Sequence, residues 1–166
     1  IWARDISKAN HFISTLHDLN LEITASNSCE ELANNSEIIV TTTPSKSPLL
    51  NYDWIKKGTH ITAMGSDAEH KNELDPKMIK LCDKYISDYQ SQTSVLGELN
   101  HAIQKNIISS NTKFAELGDV IMNPKLGRNN KDDITICDLT GTGAQDTAIA
   151  RYTYNLCKKN NLGLNV

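Results

Sequence analysis

The sequence is poor in the features that mark a specialised chain. Among its 166 residues, aromatics make up 5%, and there are four prolines, four cysteines and two phenylalanines. No apolar run approaches the roughly 18 residues that a membrane-spanning helix needs, and no charged, apolar and small-residue succession marks a secretory leader. No membrane partner is expected, and a cytoplasmic location is. Seventeen basic residues against twenty acidic ones give a net charge of −3. That balance supplies no clustered basic face to neutralise a phosphate lattice, so nucleic acid is not expected as a partner, and small molecules or proteins remain. Cys29, Cys82, Cys137 and Cys157 never form a C-x-x-C pair, which argues against a zinc knuckle or a redox couple and for reduced thiols. His11, His17, His60, His70 and His101 show no H-E-x-x-H spacing, and no metal is predicted. Methionine is missing from position 1, and "IWARD" starts inside a strand-like run, so a preceding portion is expected.

What is present is alternation. Ile1 to Arg4 reads as a strand, and Ala9, Phe12, Ile13, Leu16 and Leu19 then fall at helical spacing behind Asp5 or Ser7. "LEITAS" reads as a second strand, and Ser28 with Glu31 forms a capping box that opens a helix. "EIIVTTT", "GTHITAMGS", "KYISDY" and "DDITICDLTG" read as strands. Between or after them, "KNELDPKMIKLCD", "QTSVLGELNHAIQKN", "FAELGDVI" and a closing segment with Ala144, Ala148, Tyr152 and Leu156 on one stripe read as helices. Short strands apolar on both faces and alternating with helices predict an α/β class with a parallel sheet covered on both faces.

In such sheets ligands gather at the carboxyl ends of the strands. Thr41, Thr42 and Thr43 end one strand, where Pro44 forces a turn. The run serves either as simple β-former and turn or as a contact to the ribose or phosphate of a dinucleotide. Gly65 permits close backbone approach at the end of another strand, and Asp67 is the first acid beyond it. Asp67 is either a helix cap or a proton acceptor and donor whose pKa partial burial would bring toward neutrality. Lys71 faces the same site or water.

The ordered set "IWARDISKA", "EIIVTTTPSKSPLL", "WIKKGTHITAMGSD", "KNELD", "GEL", "ELGDVI", Gly127-Arg128 and "ITICDLTGTGAQDTAIA" extends over nearly the whole chain. It resembles the ornithine cyclodeaminase and mu-crystallin family. The resemblance implies an incomplete doubly wound, Rossmann-type parallel sheet. It also implies an NAD(P)-dependent oxidoreductase or deaminase acting on the C–N bond of a small amino or imino acid, homodimeric at full length. It marks Asp67 as the catalytic acid/base group. Thr43, Pro44, Ser45 and Lys46 match the family's cofactor loop, Met64, Gly65 and Ser66 the strand end beneath the nicotinamide, and Lys71 a further contact. Thr140 and Gly141 fall near the nicotinamide end. The glycines of "TGTGAQD" do not match a phosphate-binding first turn, because Asp146 stands where a third small residue is needed and no strand follows to complete the unit. The phosphate-binding turn is expected before Ile1.

Where NAD-preferring sites carry an acid at the end of the second strand, the family alignment puts Ala3, followed by Arg4, so NADP(H) is favoured over NAD(H). Residues 1–142 are expected to form a partial dinucleotide-binding domain, and 143–166 a helix packed on it and leading toward a substrate and dimerisation domain. The chain alone is expected to be inactive. A non-catalytic ligand-binding protein of the mu-crystallin type, or an inactive fragment, is the alternative.

Overall fold

The computed structural model describes residues 1–164. Five strands, β1 (Ile38–Thr41), β2 (His60–Ala63), β3 (Lys84–Ser87), β4 (Ala115–Glu116) and β5 (Thr135–Asp138), form one sheet in the order β1-β2-β5-β3-β4, and every pairing is parallel. The helices are α1 (Ile6–Ser14), α2 (Cys29–Asn34), α3 (Lys77–Leu81), α4 (Gln90–Thr93), α5 (Gly97–Gln104), α6 (Leu117–Met122) and α7 (Gly143–Lys159). The α/β class with a parallel sheet is as the alternation predicts.

The core lies on one face of the sheet. Ile39, Ile61, Ala63, Tyr85 and Ile136 point there and pack on Ala33, Leu74, Met78, Leu99 and Ala102. Cover on the other face is partial. Thr135 and Ile86 are buried, but the β1 residues Ile38 and Val40 remain 68% and 56% exposed.

Several expected elements differ. Residues 1–4 and 21–26 are not ladder strands. The Ile1 ammonium donates to the Thr24 carbonyl at 2.7 Å, and Ser26 N donates to the Ile1 carbonyl at 2.8 Å. Those two bonds bring the segments side by side, but neither segment joins the sheet. The long helix expected over 92–106 is broken into α4 and α5 by Gly97, whose φ of +54° leaves the right-handed region. The helix expected from Lys71 starts only at Lys77, because Leu74 bridges Leu50 in extended form and Pro76 follows. Ala115–Glu116 is a strand before α6 rather than its first turn. The closing helix α7 forms, and none of its residues is buried.

Two helix starts follow the sequence. Asp5 caps α1 by accepting from Ser7 N at 2.9 Å. Ser28 caps α2 through Glu31 N at 3.0 Å, while the Glu31 carboxylate accepts from Asn27 N, one residue earlier than in a full capping box.

Candidate active site

Register places the site. Thr41, Ala63 and Asp138 lie in one row across β1, β2 and β5, so the segments that follow them emerge side by side at the carboxyl edge of the sheet. The same geometry in other parallel sheets forms a ligand crevice.

A cavity of about 700 Å³ opens beside the segment after β1. Arg4, Thr43, Pro44, Ser45 and Lys46, all expected at a cofactor, line it together. Trp2 and Lys8 line it as well, and the sequence reading had not singled them out. Arg4, Lys8 and Lys46 enter no ion pair among the described residues. The one acid in the lining, Asp5, is occupied by Ser7, to whose backbone and hydroxyl it is hydrogen-bonded, and that bonding holds its carboxyl below the usual range. Three unpaired cations among hydroxyls suit an anionic, hydroxyl-bearing ligand such as a phosphorylated ribose.

A second group follows β2. Ser66 is buried and donates to the Lys71 carbonyl at 2.5 Å, while Met64 is half exposed. The Asp67 side chain is 54% exposed, and the Lys71 ammonium donates to its Oδ1. That bond holds the Asp67 carboxyl below the ordinary carboxylate range. The expectation that burial raises it toward neutrality is therefore overturned: the side chain is too exposed for desolvation to outweigh a cation in direct contact. None of Met64, Gly65, Ser66, Asp67 and Lys71 lines the cavity.

A third group follows β5. The backbone N–H groups of Thr140 and Gly141 donate to Asp88 Oδ2 at 2.9 and 2.8 Å. Gln92 Nε2 donates to Thr140 Oγ1 and the Gly141 carbonyl. Gly141 turns at a φ of +87°, and Thr142 with Gln145 forms a reciprocal capping box that starts α7. The glycine pair thus serves a turn and a helix start.

Three buried carboxylates lie beneath. Asp138 Oδ2 accepts from Tyr85 Oη at 2.7 Å, Glu98 N at 2.9 Å and Leu99 N at 3.2 Å. Glu98 accepts from Glu73 N, Leu74 N and Asn72 Nδ2. Glu73 accepts from Thr43 N at 2.5 Å and Gly65 N at 2.9 Å. Burial pushes Asp138 up to about 7 and Glu98 up to about 8. Burial also raises the Tyr85 hydroxyl well above its ordinary value, and the adjacent Asp138 adds to the effect.

The family model for the ornithine cyclodeaminase/mu-crystallin family matches residues 1–161. The chain belongs to that family. An uncharacterized cyclodeaminase of Sinorhizobium fredii is 47% identical over 164 residues, 98% of this chain and 50% of that protein. A solved archaeal alanine dehydrogenase dimer with bound NAD superposes with a TM-score of 0.88 at 33% identity, covering 99% of this chain and 51% of that one. The iminosuccinate reductase of Paracoccus denitrificans in complex with NAD+ gives a TM-score of 0.87 at 33% identity, covering 99% and 50%. The chain therefore spans about half the length of these relatives, and its sheet is of the Rossmann type they share.

Within this family member, the residues that sequence reasoning missed are mostly acids. Glu73, Asp88, Glu98 and Asp138 all bind backbone amides at the sheet's carboxyl edge. A signal existed: Asp88 and Asp138 stand at or just beyond the end of a strand, as Asp67 does. Lys8 was equally legible, four residues after Arg4 and in the first turn of α1.

Proposed function

We propose that this chain carries the cofactor-binding half of an NAD(P)-dependent oxidoreductase or deaminase that acts on the C–N bond at the α-carbon of a small amino or imino acid. The single observation that carries the reading is the cavity where Arg4, Lys8 and Lys46 converge unpaired among hydroxyls at the sheet's carboxyl edge. An alanine dehydrogenase and an iminosuccinate reductase of the same fold, each solved with NAD, support it.

The lining fits the phosphate-bearing ribose end of such a cofactor. Arg4, Lys8 and Lys46 would hold the anion, and Thr43 and Ser45 the sugar hydroxyls. Asp5 is spent on Ser7, which leaves the ribose 2′ position to the cations, so NADP(H) is favoured over NAD(H). Thr140 and Gly141, fixed by Asp88 and Gln92, would border the nicotinamide end together with Met64, Gly65 and Ser66. When bound, the cofactor supplies or takes the hydride.

Asp67 handles the proton. Held as a carboxylate by Lys71, its free oxygen accepts a proton from the substrate nitrogen or an attacking water, and the Lys71 ammonium stays beside the other oxygen. Residues 1–142 act as the dinucleotide-binding part, and 143–166 lead from it toward a substrate and dimerisation region in a cytoplasmic homodimer. The 166-residue chain by itself has no detectable turnover.

Asp67→Asn in the whole protein tests the chemistry. Turnover falls by about 100-fold or more while cofactor affinity stays nearly constant. Unchanged turnover removes Asp67 from the mechanism. A second reading, a ligand-holding protein without chemistry, is favoured by the position of Asp67 outside the cavity lining. Titration with NADPH and an imino acid that leaves the nicotinamide absorbance unchanged would select it.

A further inference from the structure

The β1–β2 ladder ends where Met64 N donates to the Thr41 carbonyl. Beyond that rung the two segments stay close but exchange no further backbone bond, and the N–H groups of Thr43 and Gly65 are left without a strand partner. Glu73, fully buried, supplies the missing rung: Oε1 accepts from Thr43 and Oε2 from Gly65. Gly65 makes room for it. A Cβ at position 65 would lie 2.3 Å from the Thr43 carbonyl oxygen and 2.5 Å from Glu73 Cδ, so the carboxylate occupies the volume a side chain would fill.

Glu73 is itself fixed from both sides. Its N–H donates to Glu98 Oε1 at 2.8 Å, and its carbonyl accepts from Leu49 N and Leu50 N at the far end of the cavity-lining loop. Thr43 begins that loop and Leu49 closes it, so one residue holds both ends of the cavity wall. The same carboxylate holds the backbone two residues before Asp67.

We infer that Glu73 is a positioning residue, a bidentate clamp that sets the Thr43–Lys46 wall against the Gly65–Asp67 turn and so aligns cofactor and acid/base group. The inference rests on the functional reading above. Glu73 touches neither substrate nor cofactor, and acts through the two amides. Both bonds need an acceptor on each arm. Glutamine offers one oxygen and turns an N–H₂ toward the other donor, and aspartate is one methylene too short to span both.

The test has two readouts. Amide hydrogen exchange at Thr43 and Gly65, followed by NMR on the 166-residue chain, reads the clamp without any cofactor. The KM for NADPH in the whole protein, measured well below its melting temperature, reads the alignment. In Glu73→Gln the Thr43 or Gly65 amide exchanges at least tenfold faster while the β5 amides keep their protection, and the KM for NADPH rises about tenfold. If Glu73→Gln does not fold, Glu73→Asp, which keeps the charge and loses the span, is expected to give the same pattern. Unchanged exchange at both amides overturns the clamp. Faster exchange with an unchanged KM overturns the positioning role and leaves a purely structural one. A wild-type whole protein that does not bind NADPH or NADH overturns the functional reading instead, and the amide exchange still decides the clamp.

Discussion

The buried acids make stability fall as pH rises through neutrality, the reverse of ordinary acid denaturation. Burial raises Asp138 to about 7 and Glu98 to about 8, from unfolded values of 3.8 and 4.5. Between those limits the native state binds more protons than the unfolded one, so the stability the two groups contribute is fully present below the unfolded values and is lost as pH rises through the folded ones. The interval from pH 6.5 to 8 isolates them. Asp5, Asp67 and Asp133 are lowered and act only near pH 4 and below. His60 is lowered by burial and matters mainly under pH 6.5, whereas Cys29, Cys82 and Cys137 are raised from 9 and act above the interval. Linkage over this interval removes roughly 1 kcal/mol through Asp138 and somewhat more through Glu98, about 2 kcal/mol in all. Urea melts followed by circular dichroism should show the midpoint falling by about 1 M between pH 6.5 and 8. Asp138→Asn is the control. Its carbonyl oxygen can take the place of Oδ2 and keep all three donors, and its N–H₂ can take the place of Oδ1, which has no partner among the described residues. The variant lacks one titration and relieves Glu98 of a like charge, so its loss over the interval should drop to about 1 kcal/mol or less. An equal loss in both proteins, or a wild type that gains stability with pH, would refute the assignment of the titrations to this pair.

Two further outcomes concern the rim. Gly65→Ala places a Cβ 2.3 Å from the Thr43 carbonyl and 2.5 Å from the Glu73 carboxylate, both fixed groups, and should destabilise the chain by about 2 kcal/mol or more in the same urea assay. Lys71→Ala removes the cation that holds Asp67 low, so the acid limb of the kcat/KM profile of the whole protein should move to higher pH, and an unmoved limb would show that Asp67 does not set it.

Much of this was written in the residues. The runs "IIVT", "HITA", "KYIS" and "TICD" became strands because β-branched and aromatic residues suit a sheet packed on at least one face, and α1 and α2 start at the caps their sequences offer. Cavity residues Thr43, Pro44 and Ser45 were legible because strand ends in a parallel sheet converge, and Arg4 and Lys46 through the resemblance to the family. Periodicity misread 1–4 and 21–26, since a strand exists only where another strand pairs with it along its length. It also misread 92–106, where the apolar spacing runs through a glycine whose positive φ breaks the helix. The place of Asp67 after β2 was legible, but its electrostatic state was not. Its pKa depends on which side chain reaches it, and Lys71 was weighed only as a group facing the site or water.

The sign of the local field at the cavity could not be read from a net charge of −3. Acids crowd the carboxyl edge of the sheet, and by count they should repel an anionic ligand. Four of them are instead committed to N–H groups: Glu73 to Thr43 and Gly65, Asp88 to Thr140, Gly141 and Tyr89, Glu98 to Glu73 and Leu74, and Asp138 to Glu98 and Leu99, while Asp67 is paired with Lys71. Backbone dipoles pointing at a carboxylate offset its field, and protonation removes the field of Asp138 and Glu98 in part near neutral pH. Arg4, Lys8 and Lys46 are not offset by any ion pair among the described residues. The acids thus act as mechanical ties that fix the loops, and the unpaired cations are left to set the potential that a phosphate would meet.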